Sequence, residues 1–199
     1  MDPLSAFRAR TERYLREGHD RYEAARFVAS RTAPAPGPAL DVGTGKGLLA
    51  LALAERGLAV VSVDVSFDDR EVAAALARSA PGGRVRFVLA DATALPFRSG
   101  AFGCAAMMDV LHHLDDAGPV LSEMARAVRP GGRIAVADFS EEGFELVARV
   151  HREEGREHLR SGVTLASAAE ALRRAGARPE GTASAQLQDA AWFEVAPAG

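Results

Sequence analysis

Leu40-Asp-Val-Gly-Thr-Gly-Lys-Gly-Leu48 is the segment on which the reading of the chain turns. It joins a short apolar run, 39–42, to a segment of helical character, 48–54. Glycines at a strand–helix junction let the backbone turn tightly and approach a ligand lying over the helix N-terminus. The spacing is Gly43-x-Gly45-x-Gly47, preceded by an acid at Asp41. A dinucleotide fingerprint, G-x-G-x-x-G, would place its third glycine at position 48, where the chain has Leu48. That disfavours a nicotinamide-dependent dehydrogenase. A P-loop is excluded because the G-K-[ST] order is absent around Lys46, which is expected to face solvent.

Working outward, apolar and β-branched runs predict strands at 60–65, 85–90, 102–108 and 133–139, with helices at 71–79 and 120–128 between them and turns at 81–83 and 130–132. Strands alternating with helices mean βαβ units and an α/β fold, a doubly wound parallel sheet covered on both faces. Upstream, the Pro-rich linker 33–38 breaks any helix and sets residues 1–32 apart as an N-terminal helical cap. Its apolar positions recur at helical spacing over 4–30, and Gly18 divides them into two helices. Downstream, Ser140 caps a helix over 141–159, so a cap helix is inserted at about 140–162, and Thr164 caps another over 164–175. The runs 181–188 and 190–196 are too close to form anything but an antiparallel hairpin. They bring the strands of the 39–199 core to seven.

Composition removes other classes. The chain has 199 residues, 48% hydrophobic and 26% charged, which suits one globular domain. Its basic residues are 23 Arg and one Lys, with a single Ile and no Asn, the signature of a GC-rich genome rather than of a nucleic-acid surface. The net charge of -3 agrees, so no nucleic-acid partner is expected. The single cysteine, Cys104, cannot make an internal disulfide. No apolar run approaches the roughly 18 residues of a bilayer span, and the N-terminus carries charge where a signal peptide would be apolar. A cytoplasmic protein without a membrane partner is the expectation, monomer or homodimer being left open.

The D-x-G-x-G-x-G loop resembles the first motif of the class I S-adenosylmethionine-dependent methyltransferases, of the type 11-like small-molecule kind. Asp64 ends the second strand, where that family places an acid on the ribose hydroxyls, with Val65 beside it. Leu89-Ala-Asp-Ala-Thr-Ala-Leu-Pro-Phe97 is similar to its adenine motif, which implies that Asp91 accepts from the adenine amino group and the Ala92 amide donates to the ring. Residues 102–114 and 121–133 resemble the fourth-strand motif and the helix and turn before strand five. The resemblance implies a Rossmann-like sheet in the order 3-2-1-4-5-7-6, with strand 7 antiparallel. It also implies S-adenosyl-L-methionine as cofactor and S-adenosyl-L-homocysteine as product, held by Asp41, Gly43, Thr44, Gly45, Gly47, Asp64, Val65, Asp91, Ala92 and Asp109. Asp41 either serves the methionine end of the cofactor or simply ties down the glycine loop.

Methyl transfer is an in-line displacement, so the protein aligns the nucleophile and removes its proton where one must leave. His113 is the preferred base, with His112 beside it and His19 as a further candidate in the cap, although a Leu-His-His-Leu segment can also merely pack. The segment after strand four, Asp109-Val-Leu-His112, lacks the Pro-Pro-aromatic of the family's amine methylators, and no Pro-Cys pair exists for cytosine chemistry. A small-molecule acceptor fits. Its pocket is expected from Tyr22 and from one face of the inserted helix, Phe144, Val147, His151, Glu154 and His158. No metal is required, though His151, Glu154 and His158 are the weak candidate ligands, and the same helix reads equally as a charged surface with i,i+4 pairs. The alternative to an enzyme is a non-catalytic S-adenosylmethionine-binding regulatory or partner subunit.

Overall fold

A computed structural model describes residues 2–32, 36–80, 84–157 and 160–197. Seven strands form one sheet in the order β3-β2-β1-β4-β5-β7-β6. They are β1 (Ala39–Val42), β2 (Ala59–Asp64), β3 (Arg84–Leu89), β4 (Phe102–Met108), β5 (Val128–Phe139), β6 (Ala177–Ala185) and β7 (Gln188–Val195). The five strands from β3 to β5 pair in parallel, and β7 runs antiparallel to both β5 and β6. β1 is buried along its whole length, as its apolar run requires of a central strand covered on both faces. The sheet edges carry charge instead: Arg84 and Arg86 on β3, Arg178 and Glu180 with Pro179 on β6.

Helices cover both faces. On one side lie α2 (Arg21–Ser30), α3 (Leu48–Glu55) and α4 (Arg70–Ala77); on the other, α5 (Gly118–Ala127) and α7 (Leu165–Arg174). α3 is apolar and buried around its entire circumference from Leu48 to Ala54, and only its last residue, Glu55, reaches solvent. α2 packs Ala25, Val28 and Ala29 into the same core cluster as Leu49 and Leu53, so this half of the N-terminal segment is part of a helical layer of the sheet. α1 (Pro3–Arg16) and α6 (Glu141–Glu153) form a third, smaller cluster through Tyr14, Leu146, Val147 and Val150. Arg10–Glu154 (3.2 Å), Arg149–Glu17 (2.7 Å) and the Arg13–Glu153 pair tie the two helices together at their exposed rims.

Three boundaries depart from expectation. β5 begins at Val128, because the Pro130-Gly-Gly132 turn is absorbed into the strand as a bulge: Phe102 pairs with Val128, Cys104 with Arg133. α6 closes at Glu153 and turns at Glu154-Gly155, short of residue 159. The hairpin turns at Gln186 and Leu187, whose φ of 54° and 60° are the paired left-handed values of a type I′ turn, so β6 is displaced toward the N-terminus of the expected run. The turn at 81–83 and residues 33–35 of the linker lie outside the described residues.

Candidate functional site

The glycine loop is stitched to β2 by its own amides. Gly43 and Thr44 donate to the Val63 carbonyl at 2.9 and 3.1 Å. Gly45 donates to Asp64 Oδ2 at 2.9 Å. Below them, Ser62 Oγ donates to Asp41 Oδ2 at 2.6 Å and lies 2.6 Å from Thr44 Oγ1. Asp41 is wholly buried, and desolvation raises its pKa to about 7. Gly43 sits at φ +84°, and a Cβ there would overlap Val110. Gly47, at φ +83°, caps α3 and abuts α4, where a Cβ would stand 2.9 Å from Ala73. Lys46 is not a free solvent-facing residue: it pairs with Asp69 at the start of α4.

Two of the hollows at the carboxyl ends of the strands, where ligands bind in open α/β sheets, share a wall. The first, about 370 Å³, is lined by Gly43, Gly45, Asp64, Val65, Ala92 and Asp109 with apolar walls from Val42, Val63, Val110, Leu114 and Val120. That volume falls in the range of small-ligand sites, about 300–1,000 Å³. Apolar walls between carboxylates at Asp64 and Asp109 suit a nucleoside with hydroxyls at one end and a cationic group at the other, so the residues fit an S-adenosyl nucleoside. The second hollow, about 170 Å³, is lined by Arg10, Tyr14, His19, Arg21, His112, Phe139 and His151. Asp109 and His113 line both.

Asp109 leaves β4 at φ +58°, a left-handed conformation rare for a non-glycine residue. Gln188 on β7, itself buried, holds its Oδ1 at 2.8 Å. Desolvation and the neighbouring Asp138 raise its pKa to about 7. Asp138 Oδ1 stands 2.7 Å from His112 Nδ1, and Oδ2 accepts from the His112 amide at 2.9 Å. Both side chains are buried. With the Asp138 carboxylate accepting at Nδ1–H, the His112 tautomer is the one whose lone pair sits on Nε2. His113 packs 4.0 Å from His112 between ring centroids, and burial lowers its pKa. His19 is pushed down to about 4 by desolvation and the nearby Arg21, so it is neutral near pH 7.

The structure brings together Gly43, Gly45, Asp64, Val65, Ala92 and Asp109 on the first hollow, and His19, His112, His113 and His151 on or beside the second. Thr44 lines a side recess with Asp64 and Phe67. Asp91 lies at the rim, its carboxylate held by Thr93 N and Oγ1 at 2.8 and 2.7 Å. Asp41 and Gly47 lie behind the loop. Tyr22 packs against the α2–α3 core instead of lining a hollow, while its neighbour Arg21 does line one. Phe144 supports His112 edge-on at 5.3 Å from below. Glu154 is committed to Arg10, Arg13 and Arg156, so it is not disposed as a metal ligand; His158 lies outside the described residues. Sequence reading missed Arg10, Tyr14, Arg21, Asp138 and Gln188. The strand-end logic that selects Asp64 and Asp109 applies equally to Asp138, at the end of β5.

Comparison with known proteins follows the same lines. Residues 40–136 match the family described as Methyltransferase domain. A demethylmenaquinone methyltransferase from Clavibacter sepedonicus is 36% identical over 151 residues, 75% of this chain and 60% of that protein. The 27-O-demethylrifamycin SV methyltransferase of Amycolatopsis mediterranei is 34% identical over 148 residues, 71% of this chain and 54% of the relative. The methyltransferase in a complex with the Haloferax volcanii Trm112 activator shares the fold at TM-score 0.70 and 21% identity, covering 100% of this chain and 98% of that one. The chain spans about half the length of the curated relatives it matches.

Proposed function

Because the chain belongs to the class I S-adenosylmethionine-dependent methyltransferase family, we propose that it methylates a small-molecule acceptor held in the 170 Å³ hollow. The observation that carries this reading is the shared wall: Asp109 and His113 line both hollows, so a ligand in each would meet there. When bound, S-adenosylmethionine supplies a methyl group on a sulfonium whose bonding pair returns to sulfur, leaving S-adenosylhomocysteine. The chain's own residues do the rest. Asp64 and the glycine loop 43–45, its amides stitched to β2, hold the nucleoside, and Val65 and Ala92 flank its base. Asp109 faces the amino-acid end, where an ammonium would draw its carboxyl back to the ionised form.

On the acceptor side His112 receives the nucleophile's proton at Nε2 while Asp138 stabilises the imidazolium. His113, at the junction, positions the acceptor against the methyl group. The hollow's small volume supports a small molecule over a polymer, and the His112–Asp138 dyad favours an enzyme over a cofactor-binding subunit without its own chemistry. Calorimetric titration with S-adenosylhomocysteine, then a labelled-methyl screen of acceptors, tests the reading. Binding of the nucleoside is expected, and His112→Ala should cut turnover about 10²–10⁴-fold while leaving nucleoside affinity unchanged. A chain that binds neither S-adenosyl nucleoside overturns it.

A further inference from the structure

We infer that the acceptor is a small hydroxylated aromatic carboxylate whose carboxylate pairs with Arg21. This rests on the second hollow being the acceptor site. Charge accounting around the hollow leads to it. Of the two guanidinium groups in its wall, Arg10 forms an ion pair with Glu154 at 3.2 Å. Arg21 makes no ion pair within 4.0 Å among the described residues; the carboxylate that bears on it, Asp109 in the same hollow, acts only at longer range. It donates to Thr11 Oγ1 at 3.2 Å and lies over the Phe7 and Tyr14 rings, each centroid 5.3 Å away. Burial disfavours its charge by more than the distant Asp109 carboxylate favours it, as expected of a cation desolvated without a contacting counter-ion. A guanidinium so placed offers a planar fork to a carboxylate.

Size and walls specify the remainder. About 170 Å³ is close to the 150 Å³ cavity known to take up benzene. Tyr14, His19, Phe139 and His112 form a chain of tilted and edge-on rings, with successive centroids 5.7–6.0 Å apart. Such walls suit a flat ring. His19 contributes one polar demand. Its ring lies near the Gln186 backbone, and its buried Nδ1 has no hydrogen-bond partner among the described residues. A neutral imidazole nitrogen in that state accepts from a hydroxyl. An amine cation as acceptor would instead face Arg10 and Arg21 together.

The test uses the full chain and two probes, 3,4-dihydroxybenzoate and its uncharged amide, titrated calorimetrically with and without saturating S-adenosylhomocysteine. The acid should bind at least about tenfold more tightly than the amide. Arg21→Gln should abolish that preference without changing nucleoside affinity, and Arg21→Lys should retain part of it. Equal binding of acid and amide overturns the inference, as does a preference that survives in Arg21→Gln. Should that variant not fold, the acid-to-amide ratio of the natural chain and the Arg21→Lys result still decide. An acid preference in a chain that fails to bind the nucleoside supports the anion site and refutes the cofactor reading.

Discussion

A methyl group added at Gly43 would overlap Val110 Cγ2, and its φ of +84° is a conformation that alanine resists. Gly43→Ala should therefore destabilise the chain by about 1–3 kcal/mol, as overpacked sites do. The same change pushes Val110 into the nucleoside hollow. Urea denaturation reads the first effect, and calorimetric titration with S-adenosylhomocysteine should read a loss of affinity. This residue was legible in the sequence because glycine spacing and a left-handed turn are the same fact seen twice. Asp64 was legible for a similar reason, since a strand end is a local property. Asp138 and Gln188 were not singled out. Asp138 acts on His112 across 26 residues of sequence, and Gln188 reaches Asp109 across 79. Only the sheet order brings them together, and Arg21 acquires its meaning from the hollow it lines without a contacting carboxylate.

At the scale of elements, the N-terminal pair separates into two roles. α2 supplies Val28 and Ala29, both fully buried, to the core beneath α3, whereas α1 clasps α6 over the strand ends. Removing residues 2–32 should therefore leave a chain that fails to melt cooperatively, because Leu49 and Leu53 would lose their covering layer. A sharp thermal transition of the shortened chain by circular dichroism would show instead that the segment is separable. Periodicity located these helices well, because an apolar stripe is local. It misplaced the hairpin because Gln186 and Leu187 adopt the two left-handed conformations that Asn-Gly usually signals. It also read Pro130-Gly-Gly132 as a break, whereas the bulge lets the ladder continue around it.

Across the whole molecule, Asp41 links stability to pH. Its folded pKa of about 7 lies above the ordinary carboxylate value of 3.8. Between those values the folded chain keeps a proton that the unfolded chain has released, so this group's stabilisation falls as pH rises and is gone once pH passes about 7. Asp41→Asn removes the titration, and the variant should gain on the natural chain by about 2–3 kcal/mol between pH 5 and pH 8. Unfolding midpoints across that range measure the gap, and a constant difference refutes the assignment. His19 runs the other way: its folded pKa of about 4 means that stability is lost as pH falls below the ordinary histidine value of 6.5.

The placement of β7 has a temporal consequence. Residues 188–195 are synthesised after every other element of the site, yet they insert between β5 and β6, not at a margin. Until they emerge, β5 presents an unpaired edge and Asp109 lacks the Gln188 amide. A nascent chain therefore carries its glycine loop long before it can complete the junction of the two hollows. Site assembly therefore waits on β7, and the interval before it pairs with β5 is when the growing chain most needs shielding from its neighbours.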